Sequence, residues 1–335
     1  MTDNKRLTNA GRVRGDVAVL SGGVGAARFL LGLRLVVPSE QIVAVVNTGD
    51  DTVIHGLTVC PDLDTITYTL ADAVDPGRGW GLRNESWRAM GALDRYQGVR
   101  PDGSAAAPTW FNLGDLDLAT HFYRTARLAE GATLTKVTDE IRRAWKLPLQ
   151  ITPMSDDRLS TMVSITDPGQ DRQVEVSFQD YFVRFRHEVP VHGVRFDGVA
   201  GLSTHASDAL SHAEIVVIAP SNPLVSIGPI RHLSGVDELL ASRRESVVAV
   251  SPIIAGAALK GPASRMLVEL GLEASVVGVA RLYARIAAVL VIDPADEHLA
   301  PQVEAVGMRC VVTPSIMSTP DIAASLARAT IDAVL

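Results

Sequence analysis

The apolar run Val17-Ala18-Val19-Leu20 breaks into Ser21-Gly22-Gly23-Val24-Gly25 and resumes with helical periodicity through Arg28-Phe29-Leu30. Glycines at a strand-to-helix turn permit positive φ and close approach to the main chain. The first amides of the helix add unpaired donors and a partial positive charge. The chemistry implied is the binding of a nucleotide or phosphoester at Ser21, Gly22, Gly23 and Gly25, with Arg28 either a further phosphate contact or a solvated surface charge. The G-G-x-G spacing departs from the dinucleotide G-x-G-x-x-G and lacks the Gly-Lys-Ser/Thr of an ATPase loop. A plain tight turn would read the same way.

Acidic residues follow the second apolar run. Asn47-Thr48-Gly49-Asp50-Asp51 and Cys60-Pro61-Asp62-Leu63-Asp64-Thr65 bring four carboxylates to two loops facing the glycine turn. Carboxylates held together repel unless a cation or solvent compensates, so hard oxygen ligation of magnesium is expected, with Asp51 and Asp64 favoured as ligands. The alternative is structural: Asp62 or Asp64 caps the helix running through Thr65-Ile66-Thr67-Tyr68, and Asp50 stabilises its own turn.

Further polar segments follow strands or helices. In Trp110-Phe111-Asn112-Leu113-Gly114-Asp115-Leu116-Asp117-Leu118-Ala119-Thr120-His121, Asp115 and Asp117 either contact a polar ligand or cap a helix. His121 is a ligand contact or a satisfied helix residue. Ile151-Thr152-Pro153-Met154-Ser155-Asp156-Asp157 reads as a turn or a polar site. Pro220-Ser221-Asn222-Pro223-Leu224-Val225-Ser226-Ile227-Gly228 follows a core strand, and its prolines fix a rigid loop exposing Ser221, Asn222 and Ser226 as preorganised hydrogen-bonding groups. Ser251-Pro252-Ile253-Ile254 repeats the arrangement, with Lys260-Gly261-Pro262-Ala263 behind it.

The elements that must position these residues are short β-branched runs at 17–20, 42–47, 215–219, 247–250, 288–292 and 309–312, separated by helical stretches. Continuous apolar runs mark strands buried on both faces. The predicted class is therefore α/β, a doubly wound, mostly parallel, Rossmann-like sheet with ligands beyond the strand C-termini. Residues 80–146 read as helical and 161–186 alternate as antiparallel strands, which predicts an inserted lobe at about 80–190 within a single domain spanning 15–335. Residues 1–14 read as a disordered polar tail.

A chain of 335 residues with 47% hydrophobic content and a net charge of −7 has ample apolar surface for a large core and no basic composition that would indicate nucleic acid as partner. Its two cysteines, Cys60 and Cys310, cannot build a disulfide framework. No run of about 18 apolar residues and no apolar signal core are present, so a cytoplasmic protein without membrane association is expected.

The ordered motifs Ser21-Gly22-Gly23-Val24-Gly25, Asn47-Thr48-Gly49-Asp50-Asp51, Pro61-Asp62-Leu63-Asp64-Thr65, Leu113-Gly114-Asp115, Ala119-Thr120-His121, Pro153-Met154-Ser155-Asp156-Asp157, Pro220-Ser221-Asn222-Pro223, Ser226-Ile227-Gly228-Pro229-Ile230 and Ser251-Pro252-Ile253-Ile254 resemble those of the CofD-like family. These are transferases of coenzyme F-420 biosynthesis that use 2-phospholactate or phosphoenolpyruvate. The resemblance implies attack of the ribityl hydroxyl of the deazaflavin Fo on the distal phosphorus of a guanosine diphospho-ester, with release of GMP, in a magnesium-dependent homodimer. It implies that Asp64 and Asp51 are catalytic and hold the metal, and that Asp64, Asn112, Asp115 and His121 lie at the deazaflavin. The guanosine phosphates are implied at Ser21, Gly22, Gly23, Gly25, Ser221, Asn222, Ser226 and Gly228. Two departures stand out: many relatives carry a basic residue at Leu116, and archaeal ones a lysine at Asn112. The donor acid, enolpyruvate, lactate or glycerate, stays open. The competing reading is a non-catalytic sugar-nucleotide-binding regulator of the YvcK type, which usually lacks Pro61-Asp62-Leu63-Asp64-Thr65. An NAD-dependent oxidoreductase fits the glycine spacing poorly.

Overall fold

Apolar β-branched runs form strands here because each is covered on both faces, and the order in which they pair fixes where the polar loops meet. The computed structural model describes residues 16–335 except 103, 105, 109 and 260. The polar tail at 1–14 and Lys260 lie outside the described residues.

Strand β1 (Val17–Ser21) leads through helix α1 (Gly23–Leu33) to β2 (Ile42–Val46), and a hairpin of β3 (Thr52–Ile54) and β4 (Leu57–Val59) precedes α2 (Pro61–Leu70). Three helices, α3 (Arg88–Leu93), α4 (Asp117–Ala129) and α5 (Leu134–Ala144), lead to β5 (Gln150–Pro153). An antiparallel lobe follows, made of β6 (Ser160–Thr166), β7 (Gln173–Ser177) and β8 (Val191–Asp197). The chain then runs through α6 (Thr204–His212), β9 (Ile215–Ile218), α7 (Gly228–His232), α8 (Val236–Ser242) and β10 (Val247–Val250). A two-residue hairpin, β11 (Ile253–Ile254) and β12 (Ala257–Ala258), precedes α9 (Ala263–Glu269), α10 (Val276–Tyr283), β13 (Val289–Ile292), α11 (Ala300–Ala305), β14 (Arg309–Val312) and α12 (Pro320–Asp332).

Seven strands form one parallel sheet in the order β14-β13-β10-β9-β1-β2-β5. Alternate residues of β1 face two separate apolar layers. Val17 and Val19 pack with Phe29 and Leu30 of α1 and with Leu326 of α12, whereas Ala18 and Leu20 pack with Leu210, Leu240 and Val279 on the other side. Burying each such Leu or Phe contributes roughly 1.5–3 kcal/mol relative to leaving it in water. The doubly wound expectation is borne out.

The inserted lobe is not one continuous piece. Strand β5 returns to the main sheet in the middle of 80–190 and pairs with β2, so the insertions are the helices α3–α5 before it and the three-stranded sheet β7-β6-β8 after it. Pro153 falls in β5, and an edge strand tolerates a residue with no amide to donate. The alternation expected over 161–186 also ends early, because Asp180–Arg184 winds into a π-helical turn and the lobe's third strand is β8.

From β1 the order extends to β2 and β5 on one side and to β9 and the later strands on the other. A crevice therefore opens between the C-terminal ends of β1 and β9, at the point where the winding reverses.

Candidate functional site

Two loops close on this crevice from either side. The Ser221 hydroxyl donates to the carbonyl oxygen of Gly22 at 2.8 Å and accepts from its amide at 3.3 Å. A Cβ placed on Gly22 would lie 2.6 Å from that of Ser226 and 2.8 Å from Oδ2 of Asp62. The glycine turn, the Ser-Asn-Pro loop and the first turn of α2 thus meet at one residue. Gly23, at φ +67°, needs the left-handed conformation that glycine adopts without strain.

The loop residues divide between lining the crevice and building it. Asn222 folds its own loop, its side-chain oxygen accepting from the amides of Leu224 and Val225. Ser21 turns its hydroxyl back to the carbonyl of Val19. It is fully buried, so its side chain supports the strand end. Ser226 is buried beside Gly22, Gly228 opens α7, and Arg28 is exposed on α1.

The acidic edge lies against this seat. Asn47 organises it by accepting from the Gly49 amide at 2.8 Å and donating to Oδ2 of Asp62 at 2.9 Å, while Asp62 also lies against the Gly23 amide. Asp62 and Asp64 occupy the first turn of α2 without capping it, since its N-cap is Cys60 with no side-chain bond. Burial lifts the Asp50 carboxyl well above the usual range, and the charges of Asp62 and Asp51 add to the rise. Asp51 is raised by burial and by Asp64 and Asp62, against the pull of Cys60 and Arg124. Burial pushes Asp62 up to about 6, although Asn47 and Gly23 oppose it. Oδ1 of Asp50 and of Asp51, with the hydroxyl of Thr48, are buried and find no hydrogen-bond partner among the described residues. Buried carboxyl oxygens short of donors fit a hard divalent cation, whereas the one group of carboxylate and histidine ligand atoms that converges among the described residues, Asp64, Asp117 and His121, is engaged by Arg124 and Tyr68.

Asp64 is different. Both its oxygens are held by the guanidinium of Arg124, Oδ2 at 3.1 Å from one nitrogen and Oδ1 against the other. Arg124 and His121 lie on the inner face of α4, three residues apart, so they share one side of the helix. The Arg124 nitrogen that bonds Asp64 Oδ2 is also 3.3 Å from His121 Nδ1. His121 Nε2 lies 3.2 Å from Asp117, which accepts from the Tyr68 hydroxyl at 2.6 Å. Burial works to raise the Asp117 carboxyl, but His121 and Tyr68 outweigh it and its pKa falls below the ordinary value. His121 is only 1% exposed, and its ring nitrogens face Arg124 and Asp117.

Asp115 also proves structural. It accepts from the Ser86 hydroxyl and from the amides of Arg88 and Ala89 at the start of α3, and these bonds hold its carboxyl below the usual range. Glu85 reciprocates by accepting from the amides of Leu116 and Asp117 at the start of α4. Asp156 receives the Thr135 amide at α5 and Asp157 that of Gly201, so the 151–157 segment ends a strand and ties loops. Asn112 and Leu116 are exposed in the loop before α4, and Trp110 meets Phe111 edge-on. Arg124 was missed by sequence reasoning. Its spacing from His121 was the available signal, but a lone arginine in a polar helix carries no other mark.

The profile of the CofD family, described as 2-phospho-L-lactate transferase CofD, matches residues 17–313. A phosphoenolpyruvate transferase of Mycobacterium bovis is 40% identical over 331 residues, covering 94% of this chain and 98% of the relative. One from Mycolicibacterium smegmatis is 39% identical over 327 residues with the same coverage. A solved structure of a UPF0052 family member from Bacillus halodurans superposes with a TM-score of 0.57 at 13% identity, covering 95% of this chain and 99% of its own, a likeness of fold alone. No helix among the described residues is long and apolar enough to cross a membrane. The chain belongs to the CofD family and is a phosphotransferase enzyme.

Proposed function

We propose that this transferase acts in coenzyme F-420 biosynthesis, moving a phosphoenolpyruvyl group from a guanosine diphospho-ester to the ribityl hydroxyl of the deazaflavin Fo. The hydroxyl oxygen bonds to the distal phosphorus, the bond from that phosphorus to the bridging oxygen breaks, and GMP leaves with the electron pair. The hydroxyl proton passes to a carboxylate of the acidic edge or to solvent. The contact of Gly22 with Ser221, Ser226 and Asp62 carries this reading, because it sets a phosphate seat against a carboxylate cluster in one crevice. The names of the mycobacterial relatives favour enolpyruvate over lactate as the transferred acid.

Phosphoryl transfer between esters needs alignment and charge neutralisation more than covalent help. The α1 amides and the Ser221–Ser226 loop bind phosphate oxygens in this proposal. Asp51 and Asp50 would hold magnesium through oxygens left without partners, with Asp62 beside them and Asp64 behind on Arg124. A magnesium ion held there would supply charge neutralisation for a diphosphate. Asn112, exposed beside α4, is placed at the deazaflavin.

Mass spectrometry of the product after incubation with Fo, magnesium and each guanosine-activated donor tests the proposal. The expected result is an Fo adduct carrying phosphoenolpyruvate together with released GMP. Guanosine nucleotide binding with no adduct from any donor overturns it in favour of a binding protein.

A further inference from the structure

Behind the acidic edge runs a buried chain of polar side chains, Tyr68, Asp117, His121, Arg124 and Asp64. Tyr68, His121 and Arg124 are 2%, 1% and 2% exposed. We propose that Arg124 and His121 are positioning residues for the transfer, acting through Asp64; the proposal rests on the reading given under Proposed function.

The argument is one of donors and acceptors. An arginine side chain offers only N–H groups and never acts as acceptor. The Arg124 nitrogen 3.3 Å from His121 Nδ1 therefore donates, and Nδ1 carries a lone pair. The ring proton then resides on Nε2, directed at Asp117 Oδ2 3.2 Å away. The other Asp117 oxygen is taken by Tyr68. The same Arg124 nitrogen also donates to the carbonyl oxygen of Thr58 at 3.3 Å, so the guanidinium is held by Asp64, Thr58 and His121 together. A guanidinium fork on a carboxylate fixes both the plane and the charge of that carboxylate. Asp64 is held in one rotamer from behind by both guanidinium nitrogens, next to the acidic neighbour Asp51.

Both oxygens of Asp64 accept from Arg124, so the carboxylate is fixed in place and not free to rotate. In this proposal it contributes a carboxylate of fixed position beside Asp51. The devices that fix it come from α4, an element belonging to the helical insertion and not to the glycine turn or the Ser221 loop.

His121→Leu and His121→Asn separate positioning from bulk structure. An asparagine can still accept from Arg124 through its amide oxygen and donate to Asp117 through its amide nitrogen. His121→Leu should lower kcat about 10²-fold with guanosine diphosphate affinity nearly unchanged, and His121→Asn should restore kcat to within about tenfold of the parent. Leucine and asparagine variants that lose kcat equally, in step with equal falls in melting temperature, overturn the proposal. So does a leucine variant with the parent's kcat. A nitrogen-15 spectrum of the histidine rings, with His121 assigned by its loss in His121→Asn, gives a readout independent of turnover. The proton is expected on Nε2 alone, and a protonated Nδ1 overturns the proposal. If the parent shows no turnover with Fo, the functional reading fails and the ring spectrum still decides the orientation of the chain.

Discussion

A Cβ added to Gly25 would lie 2.1 Å from the carbonyl oxygen of Pro220, so helix α1 and the loop after β9 touch backbone to backbone with no side chain between them. Gly25→Ala must force the two loops apart. The expected cost is about 1–3 kcal/mol of stability, as for overpacking elsewhere, together with a fall in guanosine diphosphate affinity. Thermal unfolding and calorimetric binding on one sample check it; an alanine variant that melts and binds like the parent contradicts the described contact.

Ser221→Ala removes both bonds to Gly22 and leaves a buried amide and carbonyl unsatisfied. Such groups cost about 1–3 kcal/mol each when nothing replaces the partner. Nucleotide affinity should drop by at least about tenfold while the acceptor KM holds steady, and an opposite split in steady-state kinetics would remove Ser221 from the phosphate seat.

Asp64→Asn weakens the pairing with Arg124 and deletes a fixed charge beside Asp51. Turnover should fall roughly 10²- to 10³-fold, the range for loss of one preorganised electrostatic contact, with nucleotide binding retained. Near-parental turnover would show that Asp64 has no part in the transfer.

Asp115→Ala should cost about 0.5–2 kcal/mol, the usual range for a helix cap, because the carboxylate serves Ser86 and the α3 amides. Its kcat and acceptor KM should stay within about twofold of the parent below the melting transition. A raised acceptor KM at unchanged stability would return Asp115 to the deazaflavin.

The acidic edge sets the pH response. Burial pushes Asp62 up to about 6, and Asp50 and Asp51 move in the same direction. A carboxyl with a higher pKa folded than unfolded keeps its proton longer in the folded chain. These carboxyls therefore withdraw stability as pH rises from about 4 through about 6, against the gain that carboxyls held low, such as Asp117 and Glu140, supply as they ionise. For Asp62 alone this is of the order of 2–3 kcal/mol. Without magnesium, Asp62→Asn should gain in melting temperature over the parent as pH rises through that window and melt above it at neutral pH, and added magnesium should stabilise the parent more at neutral pH than at about pH 5. A difference in melting temperature between Asp62→Asn and the parent that does not change with pH refutes the arrangement.

Six of the seven strands of the main sheet were legible because each is an unbroken apolar run. The seventh, β5, was not: four residues with exposed Gln150 and a proline at the edge look like a turn. Glycine and acidic motifs could be read as neighbours because each follows a strand of the parallel sheet. What the sequence could not disclose was the direction of side chains. Ser21 faces back into its own strand, Asp115 faces α3 26 residues back, and His121 faces Arg124 one helical turn on, each set by a hydrogen bond that residue type and spacing do not announce. Arg124 itself depended on α4 packing against β4 and α2, a contact between an insertion and the core that periodicity does not encode.

The bond between Gly22 and Ser221 spans 199 residues, and β1 gains its neighbour β9 only after the intervening helices and lobe have been made. During synthesis the first strand must wait with one edge unpaired, and such edges are where nascent chains associate wrongly. High contact order of this kind slows folding, since distant segments must close a long loop before pairing rewards them. Refolding from denaturant should thus be slow and concentration-sensitive, and added guanosine diphosphate should improve the yield by capturing chains in which the two halves of the sheet have already joined.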